Sequence, residues 1–249
     1  PIAVELRKAW GLSPKAYRKL LVNTTAVVET QMCAKDWNKI NFEHVPSLAS
    51  ARYQRAFERN AKENYDEYKS KLVSGEAKVN AGAVYPYDVV KTLRYSNNFA
   101  VSNAQWDSLP NYVGDANILP MVDVSGSMLS SVAKNLTALD VAISLGLYLS
   151  EKNTGDFKDI FLTFSQTPIF VKLKGDLYTR YNSMSRSHWG MNTNLGNAID
   201  SLLNLAVKNN VPQKDMPEML LVLSDMQFDY CVKGFNKNAL QTFKKRYKQ

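Results

Sequence analysis

The stretch ILPMVDVSGSML, residues 118–129, places one carboxylate and two hydroxyls directly after a short apolar run. Asp123 ends the run, and Ser125 and Ser127 follow two residues apart on a predicted turn. Gly126 between them lets the backbone approach a ligand closely. Three chemistries could use such a tip: a metal site, a phosphoryl-transfer nucleophile or a serine nucleophile.

Two later stretches carry further oxygen ligands. Asp225 comes directly after the apolar run EMLLVLS, and Thr193 lies in the loop WGMNTNLGNAI just before a predicted helix. If the two apolar runs are neighbouring parallel strands, Asp123 and Asp225 meet at the carboxyl edge of the sheet, where ligands bind in such folds. Two carboxylates and three hydroxyls are hard oxygen ligands that suit Mg²⁺ or Mn²⁺.

The elements that must position these residues alternate between strands and helices from residue 118 onwards. The pattern predicts strands at 118–122, 160–164 and 219–224, and helices at 133–152, 194–210 and 236–248. DIFLTF and PIFVKL, separated by SQT, predict a hairpin with one antiparallel edge strand. The sequence therefore predicts an α/β fold, a mostly parallel sheet with helices on both faces.

The region before this sheet, residues 1–95, is predicted to be a small all-α module. Its clearest helix covers residues 47–72, where apolar side chains recur at helical spacing. The opposite side of that helix carries Arg52, Arg55, Arg59 and Lys62. These cations could follow a phosphate backbone, although a solvated face interrupted by acidic residues is the interpretation that we favour. Residues 96–117, rich in Asn, Ser and Gly, are predicted to be a linker.

Composition and charge limit the classes of function. Hydrophobic residues make up 45% of the chain and charged residues 22%, which is ordinary for a globular protein. No apolar run reaches the roughly 18 residues that a membrane span needs, so no membrane contact is expected. The net charge of +8 permits an anionic partner such as structured RNA. No phosphate-binding G-x-x-x-x-G-K-[ST] loop is present, so we expect no nucleotide cofactor.

The two cysteines lie far apart and outside metal-binding or redox spacings. This usage is typical of a reducing intracellular compartment. We therefore expect a cytoplasmic protein, in the host cytoplasm if the source is a virus or phage.

The order Asp123-x-Ser125-x-Ser127, then Thr193, then Asp225 after an apolar strand resembles the metal-ion-dependent adhesion site of von Willebrand factor A domains. The resemblance implies that Ser125, Ser127 and Thr193 coordinate the ion directly, while Asp123 and Asp225 act largely through waters. It also implies an open coordination position, which an acidic side chain of a protein partner fills.

A wider resemblance covers most of the chain. WGMNT and SDMQFD, together with N-terminal stretches such as DWNKINFEHVPSLASARYQRAF, resemble a family that joins a helical TROVE-type module to a von Willebrand A domain. That family occurs in plants, large viruses and phages, and a distant relative is the RNA-binding Ro autoantigen family. The resemblance implies a TROVE-like module at 1–95 and a von Willebrand A-like domain at 118–249. Residues 1–95 can hold only part of a TROVE repeat array.

Three functions follow as hypotheses. The first is a non-enzymatic, divalent-metal-dependent protein-binding module, which could also be part of a ribonucleoprotein. The second is an RNA-binding protein that uses the basic helical half. The third is a haloacid-dehalogenase-like phosphatase, but Ser125 stands where such enzymes carry a second carboxylate.

A serine nucleophile would need a base, and the two histidines, His44 and His188, are not accompanied by a G-x-S-x-G motif. We therefore expect no enzymatic activity.

Overall fold

The two strands that lead to Asp123 and to Asp225 belong to one four-stranded sheet in the computed structural model. The strands in chain order are β1 (Ile118–Asp123), β2 (Ser131–Ala133), β3 (Leu136–Thr137), β4 (Ile160–Phe164), β5 (Phe170–Lys172) and β6 (Met219–Leu223). The sheet order is β5-β4-β1-β6, while β2 and β3 form a separate hairpin. β1 pairs in parallel with β4 and β6, and β5 pairs antiparallel with β4. The predicted mostly parallel sheet with one antiparallel strand is confirmed.

The structure describes residues 2–25, 27–94, 99–164, 167–187 and 195–225. The chain divides into two compact units, Pro1–Ala83 and Val84–Gln249. The helix predicted at 236–248 lies outside the described residues. In the described ranges, no helix combines the length and the hydrophobicity that crossing a bilayer requires.

Helices make up most of the first unit and flank the sheet in the second. They are α1 (Ile2–Ala9), α2 (Pro14–Thr24), α3 (Val28–Cys33), α4 (Ser47–Asn60), α5 (Lys62–Ser74), α6 (Pro86–Thr92), α7 (Ala100–Asp107), α8 (Ala138–Lys152), α9 (Leu177–Ser185) and α10 (Leu195–Lys208).

The central strand β1 is covered on both faces. Leu119 and Met121 pack with Ala198 of α10 in one apolar cluster. Val122 points to the other face, towards Gly146 of α8, because successive side chains of a strand alternate between the two faces. The α/β arrangement with helices on both faces of the sheet is therefore present.

The helix predicted at 133–152 begins later than its apolar pattern indicates. α8 begins at Ala138, and the residues before it form the β2–β3 hairpin, with Asn135 in the left-handed region at a φ of 58°. A capping box fixes this start. The Thr137 hydroxyl accepts from the Asp140 N–H at 3.2 Å, and the Asp140 carboxylate accepts from the Thr137 N–H at 3.0 Å. The cap thus overrides the helical spacing upstream of it.

The helix predicted at 47–72 is two helices, α4 and α5, because the chain bends at Ala61. Ala61 leaves the helical conformation, with a φ of −127° and a ψ of 34°. The bend brings the rings of Phe57 and Tyr65 within 5.6 Å, and both contact Phe42, at 5.1 and 4.8 Å. Eight residues of straight helix span about 12 Å, so an unbroken helix could not place both rings on one partner.

The boundary between the units, at Ala83, lies N-terminal to the linker predicted at 96–117. α6 belongs to the second unit, since it packs on α8 and its Val89 is completely buried. α7 lies within the predicted linker and packs on α6, where the hydroxyls of Thr92 and Ser102 are 2.7 Å apart.

Trp106 holds α7 in the second unit. Its indole N–H donates to a carboxylate oxygen of Glu151 on α8 at 2.7 Å, and its ring is buried. Ser102 and Gln105 of α7 are also buried. The polar composition that predicts a linker is therefore partly the inner face of a helix.

We predict that Gly146→Ala destabilises the second unit. A Cβ at residue 146 would lie 2.6 Å from Cγ2 of Val122, a contact that forces α8 away from β1. We expect the free energy of unfolding to fall by about 1–3 kcal/mol because of this contact. The higher helix propensity of alanine, about 1 kcal/mol relative to glycine, acts in the opposite direction. Urea unfolding followed by circular dichroism measures the difference. Gly82→Ala, with no atom within 4 Å of the added Cβ, is the control. Equal stability of the two variants would contradict the packing argument.

Candidate metal centre

The parallel pairing of β1 with β6 brings the two predicted strand tips together. Val122 pairs with Leu223 in register, so Asp123 and Ser224 follow as neighbours beyond the last pair. Asp225 comes next along the chain. Asp123 and Asp225 therefore lie at the same carboxyl edge of the sheet, as the sequence predicts, and not at opposite edges.

Asp123 is the centre of the hydrogen bonding at this edge. Its side chain is fully buried. One carboxylate oxygen accepts the N–H of Ser125 at 2.8 Å, and the other accepts the hydroxyl of Ser224 at 2.6 Å. Within the described part of the chain, no Lys or Arg pairs with this carboxylate. Since a buried polar group is costly unless it is hydrogen-bonded, these two donors support the Asp123 carboxylate in its buried position.

The hydroxyls of Ser125 and Ser127 form a preassembled pair of oxygens. Their Oγ atoms are 3.0 Å apart, and both residues are partly exposed. Ser127 lies in a short 3-10 helix at Gly126–Leu129, and Ser125 directly precedes this helix as its N-cap residue. Buried Met128 anchors the helix to the interior. Two oxygens at neighbouring positions of an Mg²⁺ octahedron are separated by about 3 Å, given Mg–O distances of about 2.1 Å. In this structure the 3.0 Å separation is a hydrogen bond between the two hydroxyls, and the same separation is compatible with two neighbouring ligands of a magnesium-sized ion.

Of the two remaining predicted ligands, the structure describes Asp225 but not Thr193. Asp225 is partly buried at the end of β6. Thr193, together with the surrounding WGMNT loop, lies outside the described residues. Among the residues that are described, no three His, Cys, Asp or Glu side chains lie together as a metal cluster. The candidate site would instead draw its oxygens chiefly from hydroxyls.

Asp140 and Arg94 hold the segment that leaves the site. Besides capping α8, the Asp140 carboxylate pairs through both oxygens with the guanidinium of Arg94, whose Nε also donates to the Tyr181 hydroxyl at 3.4 Å. Partial burial acts to lower the pKa of Arg94, but the bond to Tyr181 and the charge of Asp140 outweigh it and raise the pKa. The N-terminus of α8 is therefore fixed independently of any ligand.

Sequence reasoning misses two residues of this region, Ser224 and Asp140. The signal for Ser224 is its position, one residue before Asp225, which places it beside Asp123 once β1 and β6 are paired in register. The signal for Asp140 is the spacing Thr-x-x-Asp at the start of α8, which is a capping pattern.

The four predicted RNA-contacting cations lie in the first unit and are all exposed. Arg52, Arg55 and Arg59 are on α4, and the Arg59 guanidinium donates to the backbone carbonyl of Arg55 at 3.3 Å. Lys62 begins α5, beyond the bend. The predicted stripe on one helix is therefore wrong for Lys62, since the bend at Ala61 separates it from the arginines.

Two family models match the chain in succession. One, a domain of unknown function (DUF2828), matches residues 4–118. The other, a domain of unknown function (DUF7788), matches residues 117–249, more than half of the chain. The chain belongs to the DUF7788 family. Neither model is a von Willebrand A or TROVE model. The DUF7788 region begins directly before β1 and contains every residue of the candidate site.

A viral protein is similar along most of the chain. It is an uncharacterized protein of Acanthamoeba polyphaga mimivirus, 30% identical over 252 aligned residues. The alignment covers 92% of this chain and 43% of the viral protein. The chain, with its DUF7788 region, thus spans less than half the length of that relative.

We predict that Asp123→Ala costs more stability than Asp123→Asn when EDTA is present. Alanine leaves the N–H of Ser125 and the hydroxyl of Ser224 without their acceptor, which costs about 1–3 kcal/mol. Asparagine keeps one acceptor oxygen, and its amide can donate to the Ser224 hydroxyl oxygen. Urea unfolding of the three proteins measures the effect. If both variants unfold at the same urea concentration as the wild type, the hydrogen bonds of Asp123 do not stabilise the edge.

Proposed function

We propose that the second unit binds one Mg²⁺ or Mn²⁺ at the edge of its sheet and uses it to hold an acidic side chain of a protein partner. The observation that carries this proposal is the buried carboxylate of Asp123, which positions a pair of hydroxyl oxygens and has no cationic partner in the described ranges. Within the proposal, the unit is von Willebrand A-like and not an enzyme, and the helical unit before it is TROVE-like.

The roles of the residues follow from their environments. Ser125 and Ser127 would hold the ion directly, together with Thr193. Both oxygens of Asp123 are engaged by hydrogen bonds, so this residue orients the serine loop and supplies negative charge from behind the ligands. Asp225 would act in the same way from the end of β6.

The neutrality of the hydroxyls is the feature that suits partner binding. A bound ion supplies a positive charge that neutral ligands leave largely uncompensated towards solvent, where a carboxylate of another protein can coordinate. A site for metal-assisted hydrolysis would instead need a base or nucleophile positioned over the ion, and Ser125 occupies the position of the second carboxylate that phosphatases use. This contrast favours binding over turnover.

We predict that Mg²⁺ binding depends on the serine pair. Titration calorimetry should give an affinity for Mg²⁺ that falls by more than about tenfold in Ser125→Ala/Ser127→Ala and in Asp225→Ala, since removal of ligands or their supporting groups typically costs 10–100-fold. Ser130→Ala, an exposed serine three residues further along the same loop, is the matched control and should bind like the wild type.

Removal of a ligand, of a supporting carboxylate or of the ion tests partner capture. Thr193→Ala, Asp225→Ala and addition of EDTA to the wild type should each abolish retention of an acidic protein partner while the circular dichroism spectrum stays unchanged. Capture that persists in EDTA and in Asp225→Ala would place binding elsewhere on the chain and overturn the proposal.

A second candidate function is RNA binding by the first unit. The observation that favours it is the exposure of Arg52, Arg55 and Arg59 on one side of α4, combined with the net charge of +8. Arginines spaced three and four residues apart lie on the same helix face and can contact successive phosphates.

We predict that Arg55→Glu/Arg59→Glu weakens retention of structured RNA and flattens its salt dependence, because fewer counterions are released on binding. Lys172→Glu/Lys174→Glu changes the net charge equally in the second unit and is the control. Filter binding over a salt series measures both. Equal losses in the two variants would indicate an effect of net charge alone, and no binding by the wild type at low salt would leave α4 as solvated surface.

A further inference from the structure

We propose that the β2–β3 hairpin is the part of the site that selects the partner, and that it selects an acidic side chain with an aliphatic residue beside it. This inference rests on the proposed metal-dependent function. It concerns residues that have no role in holding the ion: Leu129, which lies just before the hairpin, and Val132 and Lys134 within it.

The hairpin is attached to the serine pair at a fixed position. Leu129 is the last residue of the 3-10 helix that carries Ser127, and the N–H of Ser130 donates to the Ser127 carbonyl at 2.9 Å. The N–H of Ala138 donates to the Ser130 carbonyl at 3.1 Å and closes the base of the hairpin against the start of α8. A surface on this hairpin therefore keeps its place relative to the Ser125 and Ser127 hydroxyls.

Two aliphatic side chains on this segment face solvent. Leu129 is 60% exposed and Val132 is 56% exposed, although the neighbouring Met128 is buried. Single exposed aliphatic residues are common, but these two lie within four residues of one another on a short, hydrogen-bonded segment. Packing an aliphatic group of a partner on them would remove apolar surface from water at little entropic cost, because the backbone beneath them is already ordered.

The charge of the hairpin points to the same partner. Lys134 is exposed at the turn, and the described residues between Ser125 and Thr137 include no acidic side chain. A partner that carries Asp or Glu is attracted by Lys134 and by a bound cation together, whereas a basic partner is repelled. The occupant that fits is thus a protein segment with a carboxylate for the ion and an adjacent aliphatic side chain for the hairpin.

The test uses four biotinylated synthetic peptides immobilised on biosensor tips. They share one flexible Gly-Ser sequence and differ at two nearby positions, with Glu or Gln at the first and Leu or Ser at the second. The full chain is applied with Mg²⁺ or with EDTA. Dense display raises weak binding into the measurable range through avidity. We expect the Glu–Leu peptide to retain the protein most strongly, and only with Mg²⁺.

The deciding variant is Leu129→Ser/Val132→Thr, which removes the apolar groups and keeps a β-branched residue in β2. It should lower retention of the Glu–Leu peptide to that of the Glu–Ser peptide, a loss of about tenfold for one buried aliphatic contact. It should leave Mg²⁺ affinity by calorimetry and the Glu-over-Gln preference unchanged. Val207→Thr, which alters an aliphatic residue that is 77% exposed on α10, is the control.

The outcomes separate the two proposals. If the double variant still prefers Glu–Leu over Glu–Ser, or if the wild type has no such preference, the hairpin does not select the partner. If Glu and Gln peptides are retained equally and EDTA has no effect, the metal-dependent function itself fails. A double variant that loses Mg²⁺ affinity would also overturn the assignment, because the hairpin would then belong to the metal site.

Discussion

The parallel pairing of β1 with β6 is the constraint on which the candidate site depends. It is this register, Val122 opposite Leu223, that turns two residues far apart in the chain into the hydrogen-bonded neighbours Asp123 and Ser224. A shift of one residue would reverse the face to which each side chain of the strand points. Packing on both faces opposes such a shift, since Met121 is held in the cluster below α10 and Val122 lies against Gly146 of α8.

The pairing of β1 with β6 places the Asp123 carboxylate among the hydrogen-bond donors of the sheet edge. This carboxylate has no exposed surface and accepts two hydrogen bonds, one of which orders the loop after it. The serine hydroxyls, by contrast, remain partly exposed and uncharged. In the proposed site, charge and coordination would therefore be divided between different residues: the carboxylate would stay with the scaffold, and the ligand oxygens would face the solvent.

The sequence predicts this edge well because the relevant signals are local. An apolar run that ends in Asp123 defines both a strand and its tip, and a second run before Asp225 defines its neighbour. Ser224 could not be recognised in the same way, because its partner is set by the register of a long-range pairing. The sequence also gives no direct account of how the sheet and the helical half divide the chain, since Trp106 and the buried polar residues of α7 resemble a linker until their contacts are known.

Two observed helical regions differ from the predicted helices, and the differences have a common physical origin. Helical spacing extends through residues 47–72, but the aromatic core around Phe42 is better filled by a bend at Ala61. Spacing also extends upstream of α8, but the N-cap at Thr137 makes the helix begin at Ala138. In both places, a tertiary contact or a cap outweighs a periodic pattern, which is a weak local preference.

The hydrogen bond between Ser224 and Asp123 joins residues 101 positions apart in the chain. Contacts of such high sequence separation form late, since the loop between them must close before the contact can stabilise it. During synthesis, β1, its serine loop and α8 leave the ribosome well before β6 does. We therefore expect the nascent chain to carry an incomplete site, with Asp123 lacking one of its two donors, until β6 is added. The edge would then be completed at a late stage of folding and would not take part in its first steps.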